Sequence, residues 1–260
     1  MSSVLAAARR HLPLLLTLGA LAFVLRDLGL ADPARLARGV VNIGIFSGDL
    51  FPPDPTMLVT VAWAVVETIE IAFAGTLLGF ALALPIALIA TPAVSGPPIS
   101  AVLRAGLAFV RTIPALLWAI LFVVAVGLGP AAGALGVAMY SLGYLGKLLS
   151  DAFDAVDPEV VEAVRAVGVS PLQLARLAIL PEAGHAVLAQ LLFVFEYNVR
   201  ASSILGFVGA GGVGFYLLGY VQALQYDRLM TALFVTFAAV LVIDALGQRI
   251  RRRYLIPATA

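Results

Sequence analysis

The sequence predicts an all-α integral membrane protein with six spanning helices, and three observations lead there. Hydrophobic residues fill 62% of the 260 positions and charged residues 12%, where a soluble domain carries roughly 45–50% and about 25%. That leaves too little polar surface to cover a soluble particle, so lipid has to serve as solvent. Apolar runs of about 20 residues, the length that crosses a bilayer, recur along the chain. Lysine and arginine gather at alternate ends of those runs, the bias expected of cytoplasmic flanks. Cysteine is absent, which excludes a disulfide framework and thiolate chemistry. A formal charge of +1 gives no electrostatic footprint for nucleic acid.

The first span covers residues 12–30, behind Arg9 and Arg10. It is long for a signal-peptide core and no clear small-residue cleavage site follows, so it reads as retained. Residues 31–56 hold Asp32, Arg35, Arg38, Asp49 and "FPPDP", the composition of a polar loop with at most a short surface helix. The second span, 58–91, exceeds a simple crossing. Glu67 and Glu70 in its first half place its start outside the bilayer or tilt it, with both carboxylates toward the outer surface or a docked partner. "TPAVSGPP" ends it with prolines and glycine. The third span is 103–128, closed by "GLGP", and the fourth is 133–149, where Lys147 snorkels to the inner interface. A polar stretch, 150–182, precedes the fifth span, 183–207, and the sixth is 229–248.

With the N-terminus inside, the inner side receives Arg9, Arg10, Arg104, Lys147, Arg165, Arg176, Arg249 and Arg251 to Arg253. The outer side receives Arg26, Arg35, Arg38 and Arg228. This asymmetry puts both termini and the 150–182 loop in the cytoplasm of a multi-pass protein, with residues 1–260 forming one transmembrane domain.

The 150–182 loop is built as helix, turn, helix. In "DPEVVEAVRAVGVSPLQLARLAILP", Asp157 can cap a helix whose first turn takes Pro158 and Glu159. Gly168 stands where that helix would end in a left-handed turn. Ser170 caps a second helix, with Pro171 at its start and Gln173 completing a capping box. Pro181 is expected to break this helix before the fifth span. A helix resting on lipid headgroups is usually rich in lysine and arginine. Here Asp151, Asp154, Asp157, Glu159 and Glu162 outnumber Arg165 and Arg176, a balance that suits a protein groove better than an anionic membrane.

"GAGGVG" at 209–214 fits the spacing of a dinucleotide fingerprint. That motif needs a strand before it and a βαβ unit around it, whereas a long apolar run precedes these glycines and no strand–helix alternation occurs. The same loop faces outward on the predicted topology, away from cytoplasmic nucleotides.

The 157–181 stretch resembles the cytoplasmic coupling signature of ABC importer permeases: E-A-A, a glycine four residues on, then I-x-L-P. Glu162, Ala163, Gly168, Leu180 and Pro181 match it; Val164 and Ala178 depart, each by a small or apolar residue. "RTIPALLWAILFVVAVGLGP", "GYLGKLLSDAFDAVD", "FEYNVRASSILGFVGAGGVG" and "IDALGQRIRRR" together resemble the phosphonate-import permease family, from about the second span to the C-terminus. The resemblance implies a type I ABC importer transmembrane domain in a bacterial inner membrane. It implies a second permease chain, identical or paralogous, two ABC ATPase subunits on the cytoplasmic loops and an extracytoplasmic substrate-binding protein. ATP and magnesium would belong to the ATPase, since no G-x-x-x-x-G-K-[ST] occurs in this chain, and no cofactor is expected in it. Gly206, Gly209, Gly211, Gly212 and Gly214 would then shape an outer gate; a tight packing turn is the alternative.

Charges inside spans mark pathways or pairs. Glu196 and Arg200 stand four apart on one face of the fifth span, the favourable order for pairing, while Asn198 lies on another face. Arg200 either pairs with Glu196 or presents its donors to an anion. Arg111 in the third span is a second pathway candidate, or an interfacial anchor. His185 and Asp244 read as helix-end residues near the inner interface. Two isolated histidines make no metal site, and no catalytic constellation is apparent. The predicted function is the permease subunit of an ABC importer for phosphonate or a related phosphorus oxyanion. Phosphate, phosphite or an amino acid are alternative substrates, and a secondary transporter or membrane enzyme the rival classes.

Overall fold

The computed structural model describes residues 2–254. Met1 and residues 255–260, the chain ends expected in the cytoplasm, lie outside the described residues, as do the side chains of Arg9 and Arg10. Among the described residues every regular element is helical. The chain divides into two compact units, Met1–Pro52 and Pro53–Ala260.

The first unit holds two helices joined by a short turn. Helix α1 runs over Ser2–Asp27 and α2 over Pro33–Asp49. The stretch expected as a polar loop is therefore mostly a 17-residue helix. Asp32 starts it by accepting the amides of Ala34 at 2.9 Å and Arg35 at 3.3 Å, with Pro33 in the first turn. Leu36, Val40 and Ile43 share one exposed apolar face of α2.

The second unit is built around α3 (Leu58–Ile89) and α7 (Pro130–Asp154). Their axes come close because small residues meet at the crossing. A methyl on Gly75 would stand 2.5 Å from the Val137 side chain, and one on Gly79 2.5 Å from Ser141. Close backbone approach of this kind is how helices associate in lipid, where burial of apolar surface supplies little drive. Helices α5 (Pro97–Thr112) and α6 (Ala115–Val126) lie against α7, and α10 (Leu180–Leu205) and α12 (Tyr226–Tyr254) complete the bundle.

Among the described residues, four helical segments are long and apolar enough to cross a membrane: Pro55–Ile89, Pro130–Asp154, Pro171–Val208 and Tyr226–Tyr254. A fifth candidate is bent. The third stretch, expected as one helix, breaks between α5 and α6 with an 84° change of direction. Pro114 is the cause: it has no amide to donate, and the residue before it, Ile113, is pushed to extended backbone at φ −88°, ψ 118°.

Short elements tie the ends of the bundle. Helix α4 (Pro92–Ser95) turns the chain between α3 and α5, and Ser100 Oγ and Arg104 Nε both donate to the Ala90 carbonyl, at 2.5 and 2.9 Å. Arg104 also pairs with Asp154 at 2.6 Å. Lys147 pairs with Asp151 along α7, which runs on past the expected end of that span. At the other end of the bundle Asp54 caps the turn before α3 and binds Arg228 of α12 at 3.1 Å. The Thr56 hydroxyl and amide, then Arg228, hold the Asp54 carboxyl below its ordinary value.

Candidate docking loop and translocation face

The predicted helix–turn–helix is present with its caps. Helix α8 spans Pro158–Ala166, and Asp157 accepts the Glu159 amide at 2.9 Å. Gly168 takes φ +78°, the left-handed turn. Helix α9 (Pro171–Leu174) opens on a complete capping box: Ser170 Oγ accepts the Gln173 amide, and Gln173 Oε1 accepts the Ser170 amide at 2.8 Å.

The expected break at Pro181 is absent, which corrects the reading of a separate second helix. Residues Ala175–Ile179 form a π-turn that carries α9 straight into α10. The i→i+5 ring is wider than an α-turn, and it lies just ahead of a residue that has no amide for an i→i−4 bond. The proline is accommodated, not evaded.

The loop has a buried root and a bare tip. Ile179, Ala183, Val156 and Phe153 join a core cluster with Leu145, Leu149 and Val194. Arg165 donates to the Ala93 carbonyl at 2.8 Å, fastening α8 to α4. Glu159, Glu162 and Ala163 are exposed, and at the turn Val167 is 80% and Leu172 77% exposed. Leu180 is half-buried beside exposed Pro181.

The glycine segment lies at the opposite end of α10. Gly206 ends that helix, Gly209, Gly211 and Gly212 have φ of +77°, +82° and +76°, and α11 (Val213–Gln222) begins immediately after. No strand precedes them among the described residues, in agreement with the rejection of a dinucleotide site. The turn packs against α3 and the start of α7. Thr68 Oγ1 accepts the Val213 amide at 2.8 Å, and the Gly129 amide donates to the Gly209 carbonyl at 2.9 Å. Glu67, expected at an outer surface, lies against Gly211, 2.8 Å from where a methyl would be.

The intramembrane charges pair differently from the expectation. Glu196 and Arg200 do not bind each other: both partners come from α12. Arg251 holds Glu196, with Nη1 2.9 Å from Oε1 and Nη2 donating to Oε2 at 3.1 Å. Arg200 Nη1 donates to both oxygens of Asp244, at 2.8 and 3.1 Å. Asp244 is thus an ion-pair partner, not an isolated helix-end residue. Glu196 is buried because its carboxylate sits over Gly247, where a methyl would stand 1.7 Å from Oε1. The two rungs staple α10 to α12 as antiparallel neighbours.

Arg111 is exposed on the last turn of α5, with no ion-pair partner among the described residues. Its backbone packs on α7 at Gly143, where a methyl would stand 2.8 Å from the Arg111 amide nitrogen. Beside it Tyr140, Tyr144 and Tyr197 stack, with ring centroids 5.8, 5.9 and 6.3 Å apart. Behind the tyrosines, buried Asn198 donates to Thr76 Oγ1 of α3 and Ser141 Oγ of α7, both at 2.8 Å.

Residues 75–256 match the family of binding-protein-dependent transport system inner membrane components. The chain belongs to that family.

The phosphite transport system permease protein PtxC of Stutzerimonas stutzeri is 34% identical to this permease over 87% of this chain and 82% of its own length. The phosphate-import permease protein PhnE of Mycolicibacterium smegmatis is 38% identical over 82% of this chain and 40% of its own length. Among solved structures, a chain of the inward-facing MetNI methionine ABC transporter superposes with a TM-score of 0.67 at 25% identity, covering 77% of this chain and 98% of that one. The permease is therefore a multi-pass inner-membrane subunit of an ABC importer, with the type I transmembrane fold.

Of the residues singled out from sequence, the permease brings Glu162, Ala163 and Gly168 together on one exposed tip, and gathers the five glycines in one turn. It binds Glu196 and Arg200 to α12. Asn198 was placed on another face and given no role, and the three tyrosines were missed. The four-residue spacing of Tyr140 and Tyr144 was a readable sign of one helix face.

Proposed function

We propose that this permease lines the import pathway for a phosphorus oxyanion of the phosphite, phosphonate or phosphate type, and that a separate ATPase drives it through the α8–α9 loop. The observation that carries the coupling role is the tip at Gly168. Val167 and Leu172 are bare on either side of a doubly capped turn whose root is locked in the core. Capping and a buried root are the construction of a rigid docking knob, and the acidic Glu159 and Glu162 give it a charge for a basic groove. The substrate class rests on the names of the relatives and on the unpaired Arg111.

On this reading two permease chains, alike or paralogous, form the pathway, and two ATPase subunits bind the ATP and magnesium. A binding protein delivers substrate at the glycine end. The chain termini and the α8–α9 loop are cytoplasmic. The glycine turn gates the outer end, Arg111 meets the anion, and Glu196 and Arg200 hold α10 to α12.

The experiment is substrate-stimulated ATP hydrolysis by the purified complex carrying Glu162→Arg. Reversal of an exposed docking charge leaves the fold intact and is expected to abolish stimulation or ATPase assembly. Wild-type stimulation in this variant would remove the loop from the coupling role. Uptake of phosphite by the wild-type complex tests the substrate class.

A further inference from the structure

We propose that Tyr140, Tyr144 and Tyr197 form, with Arg111, a hydroxyl-lined wall over which the anion passes. This deepens the function proposed above and rests on it.

The starting point is depth. Tyr140 and Tyr144 stand 10 and 14 residues into α7, about 15 and 21 Å along it at ~1.5 Å per residue. Arg111 stands 14 residues into α5, which enters from the other end, again about 21 Å along. Counted from opposite helix starts, these positions fall near the middle of a bilayer about 40–45 Å thick with its headgroups.

The second point is exposure. Arg111 is exposed, Tyr197 is 41% exposed and the other two rings are half-buried. Hydrocarbon supplies no partner for a guanidinium or a phenol, so intramembrane polar groups face a wet cavity or another chain. The break at Ile113–Pro114 bends α6 away by 84° immediately beyond Arg111.

The third point is charge. Glu196 adjoins Tyr197 in sequence, but Arg251 neutralises it. Arg111 has no carboxylate partner among the described residues, and its backbone packs on α7 at Gly143, the residue before Tyr144. The local field therefore favours an anion. A transported ion must also leave, which calls for several weak sites in preference to one strong one. Phenol hydroxyls donate to phosphorus-bound oxygens without adding charge, and stacked rings offer such donors in succession. The buried Asn198 bonds to Ser141 and Thr76 fix the register between α10 and α7. Since Ser141 follows Tyr140 and Asn198 follows Tyr197 in the chain, the same knot sets the rings face to face.

The test uses the intact transporter in proteoliposomes, with its ATPase and binding protein, and labelled phosphite, methylphosphonate, phosphate and methionine as probes. Tyr140→Phe, Tyr144→Phe and Tyr197→Phe combined keep the rings and remove the hydroxyls. The triple variant is expected to assemble with normal basal ATP hydrolysis and to take up oxyanion at least about tenfold more slowly, the scale of lost hydrogen bonds to a charged group. Should the triple variant not assemble, Tyr197→Phe alone, at the most exposed ring, is expected to slow uptake about threefold. Unchanged oxyanion uptake by an assembled variant overturns this inference and leaves the substrate class standing. A wild type that carries methionine and none of the oxyanions overturns both.

Discussion

The glycine turn after α10 and the one between α8 and α9 differ in what surrounds them. Gly209, Gly211, Gly212 and Gly168 all adopt positive φ. Around the first turn a methyl meets backbone. On Gly214 it would stand 2.2 Å from the Ser203 carbonyl oxygen, and on Gly206 2.2 Å from the Phe215 amide nitrogen. Around Gly168 nothing lies within 4 Å. The first turn needs glycine for space as well as dihedral freedom; the second needs it for the dihedral alone. A crowded turn is part of the fold, whereas the open one leaves room for the docking partner proposed above.

Gly214→Ala is the sharpest way to break this contrast. The methyl can be placed only by moving backbone, so a loss of about 3 kcal/mol or more is expected. It should show as a large drop in the thermal midpoint of the detergent-solubilised permease. Gly168→Ala is expected to cost less, about 1–2 kcal/mol of left-handed strain, confined to the loop. The thermal midpoint should barely move while substrate-stimulated ATP hydrolysis falls. Gly168→Asn should recover most of the activity, because asparagine tolerates that conformation. If Gly168→Ala unfolds the protein as Gly214→Ala does, the two turns are not different in kind. Gly184, helical and with open space around it, is the calibration. Alanine there is expected to be neutral or to stabilise by up to about 1 kcal/mol, read in the same melting assay.

The same contrast explains what could be read in the sequence. The caps at Asp157 and Ser170 and the turn at Gly168 were legible because their partners lie within three residues. The break at Pro114 was equally local, in "RTIP", yet the stretch 103–128 was read as one unbroken span. The charge pairs were not legible. Glu196 and Arg200 had a plausible partner in each other four residues apart, but the true partners lie 55 and 44 residues away. Asn198 binds across 122 and 57 residues, and a single-helix reading had no term for a neighbour that arrives from another span. Helix type followed from composition and period; which faces meet followed from packing, to which the sequence pattern is nearly blind.

A π-turn is an α-helix with one surplus residue held in a widened ring. Residues Ala175–Ile179 therefore act as a phase setter between the α8–α9 tip and α10. Removing one residue there, such as exposed Leu177, would let the segment close as ordinary α-helix. Both halves would remain helical and every cap would survive. Yet the tip would swing about the helix axis by about 100°, one residue's share of a turn, relative to the face that carries Asn198. On the proposed coupling role, the direction in which the loop meets an ATPase is thus encoded as a count of residues, and no substitution of a side chain could correct it.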